Sequence, residues 1–294
     1  MRVTDTMLFE AQRRRLGDAR NTAAGAQERA STGMRVSRPS DDPLAASLAR
    51  RETARIARAE SSLRAADAGR ILLDAADSAL DQVGTLLARA REIAVQAAND
   101  TLGAEERRGA AREIEQIRET VIALGNTEAS GSYVFGGYID GSPPFDAAGN
   151  YLGDGQVRRL EVAPNVLLET GVSATTTFGV GVGTDVIATL ETLRVALDAN
   201  DAPTIVLQLD ELSAANAQVQ EARSSLGASM NAFDVARSAA TLAKERATSD
   251  RKRLVEVEPL DAYSDLARAQ QALEAAVQVA TQLPLPGLVE QTRR

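Results

Sequence analysis

The chain has 294 residues, 44% of them hydrophobic but only 3% aromatic, so there is room for one or two domains and little material for a thick core of large side chains. A net charge of −8 opposes a general affinity for nucleic acid or for an anionic membrane, and the scarcity of aromatic residues opposes a base-stacking platform. The absence of cysteine and histidine removes disulfides, thiolate nucleophiles, histidine bases and the usual zinc ligands together.

The first residues, with Thr4, Asp5 and Thr6 ahead of Arg13, Arg14 and Arg15, hold no apolar core of a secretory signal, and no run approaches a membrane span. From the residues alone the default address is the cytoplasm. Positions Phe9, Gln12, Leu16, Ala19, Ala23, Ala26 and Ala30 step by three and four, which predicts a first, thin helix with a small-residue seam. The run from Arg29 to Ser47 interrupts it. Gly33 permits a left-handed exit, Pro39 keeps Arg38 extended, and Asp42 caps a second helix whose first residue is Pro43, with the amides of Leu44 or Ala45 as the acceptor's partners.

The second helix carries a seam through Leu63, Ala66, Arg70, Leu73, Ala76, Leu80, Val83, Leu87, Ala90, Ala94 and Ala97. A second row at Leu72, Ala79, Leu86 and Ile93 gives it two apolar faces and hence two neighbours. Asn99 to Gly103 breaks the pattern, and Gly103 caps a third, antiparallel helix with Ala110, Ile114, Ile117, Val121 and Leu124 inward. From Glu128 the texture turns to Gly, Pro, Ser, Thr and aromatics. Apolar pieces at Tyr133 to Phe135 and Leu160 to Val162, with a turn at Ala148, Gly149 and Asn150, read as a small β-rich insert.

Helix returns at Asp185 with Val186, Leu190, Leu193 and Leu197, pauses near Asn200 and restarts after the Asp201 cap and Pro203. Leu212, Val219, Leu226, Phe233, Ala240, Ala247 and Leu254 then repeat every seven residues, accompanied by Ala215, Ala222, Ser229, Ala236 and Ala243. Pro259 is expected to end that helix. A last helix with Leu266, Ala269, Leu273, Ala276, Ala280 and Leu283 on one face runs up to Pro284 and Pro286, which would remove helical hydrogen bonds. The expected fold class is mainly α, a long antiparallel bundle or coiled coil with paired terminal helices and a small β-rich insert. Its expected segments are 1–43 (N-terminal coiled-coil helix and joint), 44–127 (helical spoke), 128–184 (β-rich insert), 185–258 (returning spoke) and 259–294 (C-terminal coiled-coil helix and tail). Leu73, Leu80, Val83, Leu87, Leu212, Val219, Leu226 and Phe233 form the expected spoke core. Leu16, Ala19, Ala23, Ala26, Leu266, Ala269, Leu273, Ala276 and Ala280 form the expected interface of the terminal helices. Ala-rich seams this narrow are marginal as isolated helices and need a partner.

Candidate chemistry is sparse. A strand-like run from Thr175 leads to Gly179, Gly181 and Gly183, a helix and then an acid near Asp210, which imitates a dinucleotide crossover. However, Thr184 stands where the third glycine belongs, and Ile205, Leu209 and Leu212 run straight into the heptads. Asp41 with Asp42, and Glu105 with Glu106, are adjacent acids at helix starts, where capping and the helix dipole explain them better than paired catalysis. Basic clusters at Arg13 to Arg15 and Arg251 to Arg253 read as solvated helix faces.

The joint itself, Ser31 to Pro43 (STGMRVSRPSDDP), resembles the N-terminal signature of the bacterial flagellin superfamily. Ala88 to Asn99, Tyr133 to Gly137, Pro144 with Phe145, and Tyr151 to Asp154 are similar to that family in order and spacing. Filament-forming members usually have Lys-Asp-Asp-Ala-Ala at the joint, so Pro39, Ser40 and Pro43 resemble the branch that joins hook to filament. The resemblance implies a non-enzymatic axial subunit, without cofactor or metal, whose terminal helices assemble by concentric packing. Its joint residues would be Ser31, Gly33, Arg35, Pro39, Ser40, Asp41, Asp42 and Pro43. The implied partners are further copies of itself, hook-associated protein 1, flagellin, an export chaperone and the type III export apparatus, with neither nucleic acid nor membrane. The implied location is extracellular, at the hook–filament junction, reached without a cleaved signal peptide. The C-terminal Leu-Pro-Leu-Pro-Gly-Leu-Val departs from the family's unbroken terminal helix. A flagellin-like filament subunit and a cytoplasmic coiled-coil adaptor are the alternatives.

Overall fold

The two long heptad segments become α2 (Pro43–Ala97) and α6 (Ala202–Val255), of 55 and 54 residues, each about 80 Å long at 1.5 Å per residue. The computed structural model describes residues 2–99 and 102–282. Its other elements are α1 (Arg2–Thr32), α3 (Ala104–Gly125), β1 (Glu128–Ala129), β2 (Ser132–Tyr133), β3 (Arg159–Ala163), β4 (Val166–Glu169), α4 (Ala174–Phe178), α5 (Val186–Asp198) and α7 (Pro259–Gln282). The fold is mainly α, with long antiparallel helices and two small antiparallel sheets, β1–β2 and β3–β4. Leu283, Pro284 and Pro286 lie outside the described residues.

Two compact units divide the chain: a terminal unit drawn from Met1–Ala57 and Ala243–Arg294, and a body of Arg58–Leu242. In the body all eight expected spoke-core residues, Leu73, Leu80, Val83 and Leu87 from α2 with Leu212, Val219, Leu226 and Phe233 from α6, are buried in one cluster. Ile114, Ile117 and Val121 of α3 and Leu190, Leu193 and Leu197 of α5 complete it, which is why α2 needs its second apolar row. The antiparallel register is pinned by Arg237–Asp67 at 2.9 Å, Arg70–Asp234 at 2.9 Å and Arg223 between Asp77 and Asp81 at 3.0 and 2.7 Å. Gly69 is the notch for the Phe233 ring; a Cβ there would overlap it.

Helix caps follow local chemistry. Glu106 accepts the Gly103 N–H at 2.7 Å, Asp185 accepts from Ala188 at 2.9 Å, and Asp201 accepts from Thr204 at 3.3 Å. Buried Arg107 holds the far turns together, donating to the carbonyls of Ala97 and Asn99 and to the Asn200 side chain. Between α3 and α5 a closed ring of Arg118, Glu115, Arg194 and Glu191 joins the helices.

Three local expectations differ from the structure. The segment after Glu128 is not purely β: the Thr-rich run at residues 174–178 is the short helix α4, because Phe178 is drawn into an aromatic cluster with Phe135 and Phe145, at 5.3 and 5.1 Å between ring centroids. Since that run is helical, the strand of the dinucleotide imitation is missing, and Gly179, Gly181 and Gly183, all at positive φ, form a turn into α5. Pro259 does not end α6, which stops at Val255; it is the first residue of α7, where its missing N–H costs nothing. Ala243, placed in the heptad row, is exposed.

Candidate assembly joint

The joint starts where α1 stops. Gly33, at φ 69°, is the left-handed residue after the helix, and its N–H donates to Arg29 O at 2.9 Å. Thr32 Oγ1 accepts the Met34 N–H at 3.2 Å, so the exit is closed by side chain as well as backbone.

The next residues pair with a distant part of the chain. Met34 forms an antiparallel bridge with Glu256. The N–H groups of Arg35 and Val36 donate to Val255 O at 2.7 and 3.2 Å, and the Val257 N–H donates to Gly33 O at 3.0 Å. Arg35 fixes both sides: its guanidinium donates to Leu254 O at 2.8 Å, 219 positions away, and pairs with Asp42 at 3.3 Å. Val36 is buried at the centre, alongside buried Ala45 and Ala49 from the start of α2.

The two acids then divide the remaining work. Asp41 Oδ2 accepts the N–H groups of Ser37 and Arg38 at 3.1 and 2.8 Å, and the Ser37 hydroxyl at 3.2 Å. The Asp41 N–H donates to Arg38 O at 3.0 Å, which makes Arg38 to Asp41 a β-turn with Pro39 in its favoured second place and Ser40 exposed in the third. Asp42 Oδ1 accepts the Ala45 N–H at 2.9 Å while its carbonyl starts the α2 ladder through Ala46, the N-cap geometry. Hydrogen bonding holds both carboxyls below the ordinary 3.8, chiefly through the Arg38 amide for Asp41 and the Ala45 amide for Asp42.

Of the expected joint residues, Gly33, Arg35, Pro39, Ser40, Asp41, Asp42 and Pro43 are gathered here. Ser31 stays in α1, its hydroxyl donating to Glu28 O at 3.0 Å. Sequence reasoning missed the C-terminal half of the joint, Leu254 to Val257, and buried Val36. The alternating Leu-Val-Glu-Val before Pro259 was the signal available.

Beyond the joint, α1 and α7 pack antiparallel along their small-residue seams. Ala23, Ala26 and Ala269 are buried together, with Leu266 and Leu273 against them, and Ala26 is only 1% exposed. Leu16, Ala19, Ala276 and Ala280 are half-buried. Alanine lets the two backbones approach without a deep core. Among the described residues no three ligating side chains form a metal-binding group, and no helix is long and apolar enough to cross a membrane.

The described residues thus combine paired helices α1 and α7 with a capped Gly–Pro–Asp joint in one unit, and long antiparallel helices carrying a small β-containing insert in the other. Residues 3–140, a little under half of the chain, match the bacterial flagellin N-terminal helical region. It is 35% identical to flagellar hook-associated protein 3 of Salmonella typhimurium over 159 residues, 52% of this chain and 49% of that protein. It is 30% identical to a flagellin of Halalkalibacterium halodurans over 114 residues, 39% of this chain and 42% of that one. The chain thus spans about half the length of the curated relatives it matches. The crystal structure of flagellar hook-associated protein 3 from Legionella pneumophila shares the fold, with a TM-score of 0.62 at 17% identity, over 70% of this chain and 98% of that chain.

Proposed function

We propose that this protein is a structural axial subunit of the bacterial flagellum that joins hook-side proteins to the flagellin filament by self-assembly of its terminal helices. The observation that carries the reading is the terminal unit: two chain ends paired over a narrow alanine seam, locked at a joint whose wording is that of the junction branch. Such a seam fixes the pair's direction and leaves the outer helix faces free, including Leu260 and Tyr263 of α7, at 81% and 62% exposure. The relatives at 35% and 32% identity are both flagellar hook-associated protein 3, which supports the junction role. Its working parts are surfaces rather than catalytic groups. Its partners are further copies of itself, hook-associated protein 1, flagellin, an export chaperone and the type III export apparatus, and its place is the extracellular hook–filament junction.

Immunogold labelling of detached flagella tests this directly. A single band at the filament base is expected. Label along the whole filament, with purified subunits that elongate on their own, would replace it with the filament-subunit reading, and protein confined to the cytosol would favour an adaptor.

A further inference from the structure

The charge of the chain is divided very unevenly between its two units. The body, residues 58–242, has 14 Lys and Arg against 26 Asp and Glu, a net of −12, whereas residues 1–57 with 243–294 have 19 against 15, a net of +4. Within the body the arginines are largely consumed by internal pairs such as those of Arg70, Arg118, Arg194 and Arg223. The surplus acid is therefore outward.

One helix face concentrates it. Leu207, Asp210, Glu211 and Glu221 of α6 are exposed and recur at helical spacing, with Leu207 at 66% exposure. Asp210 and Glu221 have no ion pair or hydrogen bond among the described residues. The face leads into an open groove of about 480 Å³ lined by Glu169, Val182, Gln218, Glu221 and Ser225.

The terminal unit carries the opposite pattern. Leu44, Ser47 and Arg51 lie one above the other on the first turns of α2, with Leu44 at 69% exposure, and Arg50, also exposed, directly precedes Arg51. The side chains of Arg38, Arg50 and Arg51 are exposed and make no ion pair among the described residues. An exposed leucine flanked by free arginines on one unit, and an exposed leucine flanked by free carboxylates on the other, are complementary in chemistry.

We infer that the Leu44–Arg51 face of one copy docks on the Leu207–Glu221 face of a second copy, an electrostatically steered contact between unlike surfaces. This rests on the self-assembly reading above and adds to it the surfaces and the force. A second copy fits better than nucleic acid or an anionic membrane, because it offers the complementary acidic face while the chain as a whole, at −8, repels a polyanion. Unlike surfaces make a heterologous interface, which propagates as a ring or helix instead of closing at a dimer. Leucine burial supplies attraction, while the charges set register and encounter rate.

Sedimentation velocity of the full chain at about 50 and about 500 mM NaCl tests it, since the Debye length falls well below 10 Å across that range. Association is expected to weaken about tenfold at the higher salt. Arg50→Glu/Arg51→Glu, or Asp210→Lys/Glu221→Lys, should each weaken it about as much at low salt with far-UV circular dichroism unchanged. An equimolar mixture of the two variants should recover it, because each altered face then meets an oppositely charged one. Association that is indifferent to salt, a mixture no better than its parts, or no association at either salt overturns the inference. Filament-base labelling reads the proposed function independently: labelled flagella with salt-indifferent association lose only the contact proposed here, and salt-sensitive association without basal label loses only the junction role.

Discussion

The body and the terminal unit are both made of antiparallel helices, but they are held by different things. The body buries leucines and isoleucines of α2, α3, α5 and α6, with Phe233 of α6 and Phe135, Phe145 and Phe178 of the insert, in one cluster, each worth about 1.5–3 kcal/mol of burial. The terminal unit buries Ala23, Ala26 and Ala269, which supply little apolar area, and fixes its geometry with the backbone hydrogen bonds of the joint. Apolar burial therefore resides mainly in the body, and the terminal unit depends on its joint.

The sharpest way to break the contrast is Phe233→Ala. It empties the site opposite Gly69 and should cost the body about 3–5 kcal/mol, seen as a lower thermal midpoint with α1–α7 still paired. A smaller and opposite effect is expected of Ala26→Leu, which forces a larger side chain into the closest approach of α1 and α7. It should cost about 1–3 kcal/mol confined to the terminal unit, read as faster protease trimming of both ends while the body resists. Equal resistance along the wild-type chain would erase the distinction itself.

The smallest effect is on the joint, through pH. Asp41 and Asp42 have folded pKa values below the ordinary 3.8, so the unfolded joint binds protons first. Their stabilisation is complete above that value and is lost as pH falls below it through the folded values. Amide exchange at Arg38 and Ala45, whose N–H groups the two carboxylates accept, should lose protection in that acid window before the body does. Protection of the remaining joint amides that persists in Asp41→Ala/Asp42→Ala, which lack any side-chain acceptor, would assign the joint's order to the Val255 and Gly33 backbone bonds instead.

Periodic and local features were legible in the sequence because their physics is local. The row Leu212, Val219, Leu226 and Phe233 repeats every seven residues, and Asp42 before Pro43 is a complete helix start in two residues. Other features depend on residues far apart in the chain. Met34 gives no sign that Glu256 is its partner, Arg107 stands in the charged helix start Glu105-Glu106-Arg107-Arg108 that reads as solvent-facing although Arg107 is buried, and the Thr-rich α4 reads as strand until Phe178 finds Phe135 and Phe145. The candidate site was therefore half visible: the Gly33 exit, the extended Arg38–Pro39 and the Asp42 cap before Pro43 were evident, but the pairing of residues 33–36 with Val255 to Val257 was not.

The bridge between Met34 and Glu256 also sets an order of events. It ties positions on either side of the whole body in sequence, so the loop it closes is long, and the entropic cost of closing it falls once the intervening chain has become compact. As the chain emerges, from a ribosome or a narrow conduit, α1 must wait until residues 254–282 follow it. The terminal unit is therefore the last part of the chain to be completed, after the body that lies between its two halves in the sequence.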